Sequence, residues 1–177
     1  LFKKVLIANR GEIACRIIRS LRQLGVVSVA VFSDADRDAM HTVYADEAVA
    51  IGPALSAQSY LSIDRLVDAC LQTGADAVHP GYGFLSENSD FLEALNTAGI
   101  AFIGPGQRAI EVMGDKIAAK ALARKAGISV IPGYDKALDG IDDALEKASA
   151  IGYPVMLKAS AGGGGKGMRV AFNSTEC

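Results

Sequence analysis

Residues 162–167, Gly-Gly-Gly-Gly-Lys-Gly, carry the least ordinary chemistry in this sequence of 177 residues. Four successive glycines cost backbone entropy and bring no packing, so the chain must gain flexibility or close backbone approach there. A lysine within such a run points to anion chemistry, with backbone N–H groups closing over phosphate oxygens. The stretch is not a P-loop: Gly167 follows Lys166 where Ser or Thr is required, Ser160 stands in place of the leading glycine, and a strand-like segment follows instead of a helix. A hairpin loop over phosphates fits, and a flexible surface linker is the competing reading. Two more lysines extend the case. Strand alternation in Val155-Met156-Leu157-Lys158 sets Lys158 opposite Leu157 beside the loop, as a phosphate charge or as an edge-strand gatekeeper. Lys116 falls in the first turn of a predicted helix, where the macrodipole disfavours a cation unless an anion lies near. The array Lys116, Lys120, Arg124 at i, i+4, i+8 is equally a solvated basic stripe.

A second segment, His79-Pro80-Gly81-Tyr82-Gly83-Phe84-Leu85-Ser86-Glu87-Asn88, follows a buried-looking strand and precedes a helix, the position where open parallel sheets place ligand loops. Two glycines and a proline flank an aromatic and a carboxylate there. The plain alternative makes Ser86 or Asn88 a helix cap and Tyr82 a packing residue. Near the start, a strand-turn-helix invites a dinucleotide reading with Asp34 or Asp36 as the ribose acid, but only Gly11 occupies the turn where three glycines are needed. Metal chemistry finds little support. Histidines number two, His41 and His79, and the three cysteines, Cys15, Cys70 and Cys177, lack CxxC spacing. Cys15 and Cys70 fall in amphipathic helices, where a thiol acts as a small hydrophobe.

The elements that must position these residues alternate. Val5 to Ala8 reads as a strand, and Ile13, Ile17, Leu21 and Leu24 recur at helical spacing up to Gly25. Strands follow at 27–32 and, weakly, 49–51; then a helix at 60–71, a strand at 75–78, a helix at 90–98 and a strand at 100–103. This order implies an α/β domain with a parallel sheet covered on both faces, ending near Gly104-Pro105-Gly106. Beyond it, 115–126 and 141–151 read as helices, and 153–158 and 168–172 as two strands around the glycine run. An isolated hairpin is marginal in water, so the chain is expected to stop inside a domain whose remaining sheet lies elsewhere.

Composition narrows the classes. Half of the residues are hydrophobic, 21% are charged and the formal net charge is -2, which suggests a soluble globular protein with no attraction to nucleic acid. No apolar run reaches the roughly 18 residues that a membrane span needs, and no targeting leader is visible.

Four motifs together resemble one family. Ile7-Ala8-Asn9-Arg10-Gly11-Glu12-Ile13-Ala14, the 79–88 decapeptide, Met113-Gly114-Asp115-Lys116, and Lys158-Ala159-Ser160 running into 162–168 are similar in order and spacing to the biotin carboxylases, over the whole chain. The resemblance implies a Rossmann-like N-terminal domain (1–104), a helical connector (105–131), and the first strands and glycine loop of an ATP-grasp domain (132–177). It implies ATP-dependent carboxylation: ATP and bicarbonate form carboxyphosphate with Mg²⁺ or Mn²⁺, and the carboxyl group passes to biotin on a carrier domain. By motif, Lys116, Lys158 and the N–H groups of Gly164 and Gly165 contact ATP, while Tyr82, Gly83 and Glu87 face biotin and bicarbonate.

Residues 154–169 look most like the α subunits of acyl-CoA carboxylases of the propionyl-CoA type. Partners implied are a biotin carboxyl carrier domain, a carboxyltransferase subunit and further copies of the chain, with no nucleic acid or membrane, in a bacterial cytoplasm or mitochondrial matrix. The family's metal-binding glutamates, bicarbonate-binding lysine and catalytic-loop arginine and glutamate are expected beyond Cys177, so the piece alone is expected to be inactive. Another ATP-grasp carboxylate ligase, or a noncatalytic folding or assembly module, are the alternatives. Two positions depart from relatives: Ala161 begins a loop that is all glycine in some, and Gln23 replaces an acid that some bacterial members carry at a dimer interface. Arg16 and Arg19 read either as part of that interface or as solvated charges.

Overall fold

A computed structural model describes residues 1–131, 133, 134, 136–158 and 167–177, and only the backbone at Lys116. The chain divides into two compact units, Leu1–Ile110 and Glu111–Cys177.

In the first unit, β1 (Lys4–Ile7), β2 (Val27–Ser33), β3 (Glu47–Gly52), β4 (Ala77–His79) and β5 (Ala101–Phe102) form a parallel sheet in the order β3-β2-β1-β4-β5. Central β1 has a strand on either side and helices over both faces, so Val5, Leu6 and Ile7 are all fully buried and its apolar run is unbroken. Strand alternation divides them. Val5 and Ile7 pack with Ala14, Ile17, Ile18 and Leu21 of α1 (Gly11–Gln23). Leu6 and Ala8 join Leu66, Ala69 and Cys70 of α3 (Ile63–Thr73) and Phe91 and Leu95 of α4 (Ser89–Thr97) on the opposite face. Connections from β1 run through α1 to β2, whereas the one from β3 through α3 passes to β4 on the other side of β1. The order therefore reverses between β1 and β4, where the loops leaving their carboxyl ends diverge.

Four elements differ from expectation. The weak third strand is six residues long, because Glu47 to Ala50 and Gly52 pair along β2. The helix expected from residue 60 starts at Ile63. Tyr60 is buried instead, accepting from the Ser33 N–H at 3.1 Å and donating to Asp36 at 2.8 Å, which holds it outside the helix. Short α2 (Met40–Tyr44) buries one polar residue, His41, and so shows no apolar period; α5 (Gln107–Gly114) buries Ile110 alone and shows none either.

The second unit contains α6 (Lys116–Lys125), α7 (Gly140–Ile151) and the antiparallel pair β6 (Val155–Lys158) and β7 (Met168–Ala171). Its core cluster is small: Ala148, Val155 and Ala171, with Tyr153 and Cys177 against them. The cysteines are free, as the sequence leads one to expect, and burial pushes the Cys70 thiol up to about 12. Among the described residues no helix is long and apolar enough to cross a membrane.

Candidate functional site

The β1/β4 divergence opens a groove of about 370 Å³ lined by Asn9, Arg10, Gly11, Ile13, Tyr82, Gly83 and Phe84. Register makes this possible: Ile7 lies beside His79, and the Ala8 N–H donates to the His79 carbonyl at 3.0 Å, so the two loops leave the sheet at one level. Asn9 then ties them together. The residue is 4% exposed, and Nδ2 donates to the carbonyls of Pro80 (2.8 Å) and Tyr82 (2.7 Å) while Oδ1 accepts from the Arg10 N–H (2.9 Å). The approach is close enough to exclude a side chain at residue 81. A Cβ on Gly81 would lie 2.8 Å from Asn9 Nδ2, and its φ of +67° is one that glycine adopts freely. The Gly81 N–H donates to His79 Nδ1 at 3.1 Å, which requires that nitrogen bare; burial pushes the His79 pKa down in agreement.

Beyond Gly81 the segment turns outward and then returns to the core. Tyr82 is 61% exposed, and its hydroxyl donates to Glu12 Oε1 at 3.0 Å, a bond that raises the phenol's pKa. Leu85 is buried, and Asn88 caps α4 by accepting from the Phe91 N–H at 2.8 Å. Asn88 thus meets the plain cap reading, whereas exposed Tyr82 is not a packing residue. Tyr82 and Gly83 line the groove. Glu87 is exposed on the same segment and is not part of the lining.

Sequence reasoning assigned no role to a charged cluster beside this groove. Arg10 Nη1 lies 3.2 Å from Asp36 Oδ2, which also accepts from the Tyr60 hydroxyl and Ser33 Oγ, each at 2.8 Å. Burial pushes the Asp36 carboxyl up, but the bonds from Tyr60, Ser33 and Arg10 outweigh it and hold the pKa below the usual range; burial foremost pushes Tyr60 up to about 12. The Tyr60 and Phe84 rings stack at 5.0 Å, and the Arg10 guanidinium lies 5.5 Å and 5.8 Å from their centroids. Asp36, the residue that a dinucleotide reading would give to a ribose, is committed to these three donors. Two sequence signals pointed to this place: Asn9 and Arg10 directly follow the apolar run from Val5 to Ala8, and both lie in the 7–14 motif.

In the second unit, Lys158 ends β6 opposite Met168 of β7, and Met156 pairs with Val170. Met156, Lys158, Met168 and Val170 are all exposed, on the face away from buried Val155 and Ala171. Lys116 is the first residue of α6, and its side chain lies outside the described residues. Asp115 caps that helix, accepting from the Ala118 N–H at 2.7 Å, so a carboxylate already faces the helix dipole and the electrostatic argument for a phosphate there weakens. Lys120 is half-buried, its ammonium 2.9 Å from where a Cβ on Gly133 would stand. Gly164 and Gly165 lie outside the described residues, as does Ala161. Among the described residues no group of three His, Cys, Asp or Glu side chains comes together as a metal site.

Residues 1–110 match the family described as biotin carboxylase, N-terminal domain, and residues 115–177 the family described as carbamoyl-phosphate synthase L chain, ATP binding domain. The propionyl-CoA carboxylase alpha chain of Ruegeria pomeroyi is 57% identical over 176 residues, covering 99% of this chain and 26% of its own length. A biotin carboxylase from Campylobacter jejuni, solved as a β,γ-ATP complex, superposes with a TM-score of 0.95 at 49% identity, covering 99% of this chain and 40% of that one. The biotin carboxylase domain dimer of Hydrogenobacter thermophilus 2-oxoglutarate carboxylase, solved with MgADP, ADP and bicarbonate, gives a TM-score of 0.93 at 49% identity, covering 99% of this chain and 39% of that one. The chain spans about a quarter of the length of the propionyl-CoA carboxylase alpha chains it matches.

Proposed function

This chain belongs to the biotin carboxylase family through its N-terminal domain, and we propose that the full-length protein uses ATP to carboxylate biotin on a carrier domain with bicarbonate, as the ligase part of an acyl-CoA carboxylase. The observation that carries this reading is the succession of two family segments on one chain, 1–110 and then 115–177. An ATP-binding segment alone would fit several carboxylate ligases, and the preceding domain narrows the acceptor to biotin.

The residues present fit both groups. Met156, Met168 and Val170 offer an open apolar face with one ammonium, Lys158, at its end, a composition suited to an aromatic base that carries phosphates. In the first unit, Tyr82 and Gly83 border a groove whose walls are held by Asn9, and we assign this side to biotin and bicarbonate, with Glu87 assigned to it on motif alone. When bound, ATP supplies the phosphoryl group that activates bicarbonate. Lys116, Gly164 and Gly165 are assigned to ATP on motif alone, and Mg²⁺ to the phosphates and to glutamates beyond Cys177. A biotin carrier domain, a carboxyltransferase subunit and a second copy of the chain are the partners this reading implies. The compartment is a bacterial cytoplasm or a mitochondrial matrix.

The test is ATP turnover by the full-length protein with bicarbonate and Mg²⁺, with and without free biotin. Biotin-dependent turnover that yields carboxybiotin is expected. Turnover indifferent to biotin would point to another ATP-grasp ligase, and no turnover to a noncatalytic module.

A further inference from the structure

Phe84 has a φ of +43°, the one positive value at a non-glycine among the described residues. A bulky side chain is strained in the left-handed region, so its surroundings must over-determine it. They do so by stacking. The Phe84 ring lies flat on Tyr60 at an interplanar angle of 8°, and the Arg10 guanidinium sits over both rings. Arg10 is in turn held by Asp36, whose carboxylate is fixed by Ser33 at the end of β2 and by the Tyr60 hydroxyl.

From this geometry we infer that Arg10 is a positioning residue for the biotin side of the site: braced by Asp36, it clamps Phe84 and so sets the direction of Gly81, Tyr82 and Gly83. The inference rests on the functional reading above. Gly81 and Gly83 both have positive φ, +67° and +66°, and give this stretch a backbone freedom that its ends must remove. Asn9 holds the carbonyls of Pro80 and Tyr82, and the Arg10 clamp fixes the far end at Phe84. Arg10 works here as a planar cation whose Nη1 reaches Asp36 while its central carbon lies 5.5 Å and 5.8 Å from the two stacked rings, a spread of contacts that the single ammonium of lysine does not reproduce. Asp36 lies outside the groove lining and acts only through Arg10 and Tyr60.

The experiment compares Arg10→Met, Arg10→Lys and Asp36→Asn in the full-length protein, measuring KM for free biotin and for ATP, and hydrogen exchange of residues 81–84. All three variants should raise the biotin KM about fivefold or more while the ATP KM stays within about twofold, because one cation–π clamp is lost on one side of the site only. Exchange at 81–84 should quicken while 5–7 stays slow. Recovery of the parent biotin KM in Arg10→Lys would overturn the inference, since a point charge would then suffice. Equal rises for both substrates, or unchanged exchange at 81–84 in Arg10→Met, would overturn it as well. If the parent shows no biotin-dependent turnover, the functional reading fails and the exchange measurement alone decides the clamp.

Discussion

Replacing Asn9 with alanine removes three side-chain hydrogen bonds at a residue that is 4% exposed. The bond to the Pro80 carbonyl is fully buried, so that oxygen is left without a partner, whereas the Tyr82 carbonyl and Arg10 N–H are half-buried and water can reach them. One stranded buried acceptor costs about 1–3 kcal/mol and the other two bonds about 0.5–1 kcal/mol each, so the loss is about 3 kcal/mol. For a domain near 100 residues this lowers the thermal midpoint by roughly 10 to 15 °C. The assay is thermal unfolding followed by circular dichroism. Asn9→Asp sharpens it, because a carboxylate oxygen would face two carbonyls where an amide N–H₂ now donates. That variant should be at least as unstable as Asn9→Ala at neutral pH. Its folded-state pKa is raised, so relative to Asn9→Ala it gains stability as pH falls and the protonated carboxyl donates to one carbonyl. A midpoint for Asn9→Ala within about 2 °C of the parent would refute the tie between the β1 and β4 loops.

Gly81→Ala should cost about 1–3 kcal/mol from its left-handed φ and the clash with Asn9 Nδ2, and less when Asn9 is already alanine; strict additivity in that double-mutant cycle would remove the close approach as a cause. Lys158→Met in the full-length protein should raise the ATP KM about tenfold to a hundredfold, the worth of a charge-assisted bond, and a KM within about twofold of the parent would return Lys158 to an edge-strand role. Burial pushes the pKa of both His41 and His79 below 6.5, so the unfolded chain binds more protons just beneath that pH. Stability should be full above about pH 6.5 and fall below it, by at most about 1.4 kcal/mol per pH unit for each histidine, and a urea midpoint unchanged between about pH 7.5 and 5.5 would contradict this. Asp36, Asp46 and Asp76, whose pKa values are lowered, add stability that persists until pH falls below about 4.

Most strands and long helices of the first unit were legible because burial repeats along them. Val5 to Ala8 announces a strand covered on both faces, and Ile17 and Leu21 lie on the buried side of α1, as their spacing predicts. The exceptions share a cause. Tyr60 looked like the opening of a helix, but a long-range bond to Ser33 and Asp36 places it, and α2 folds around a buried histidine that carries no apolar signal. At Lys116 the preceding residue, Asp115, caps the helix with its own carboxylate, so the helix dipole alone does not call for a phosphate there.

By itself the sequence determined which residue types stood at the ends of β1 and β4, and that glycines there left room for close backbone approach. Only the tertiary structure decided their partners. Asn9 meets Pro80 across 71 residues, Arg10 meets Asp36 across 26, and Asp36 meets Tyr60 across 24. Those meetings depend on strand order, with β1 between β2 and β4, and a local period reports which side of an element is buried but not which strand lies beside it.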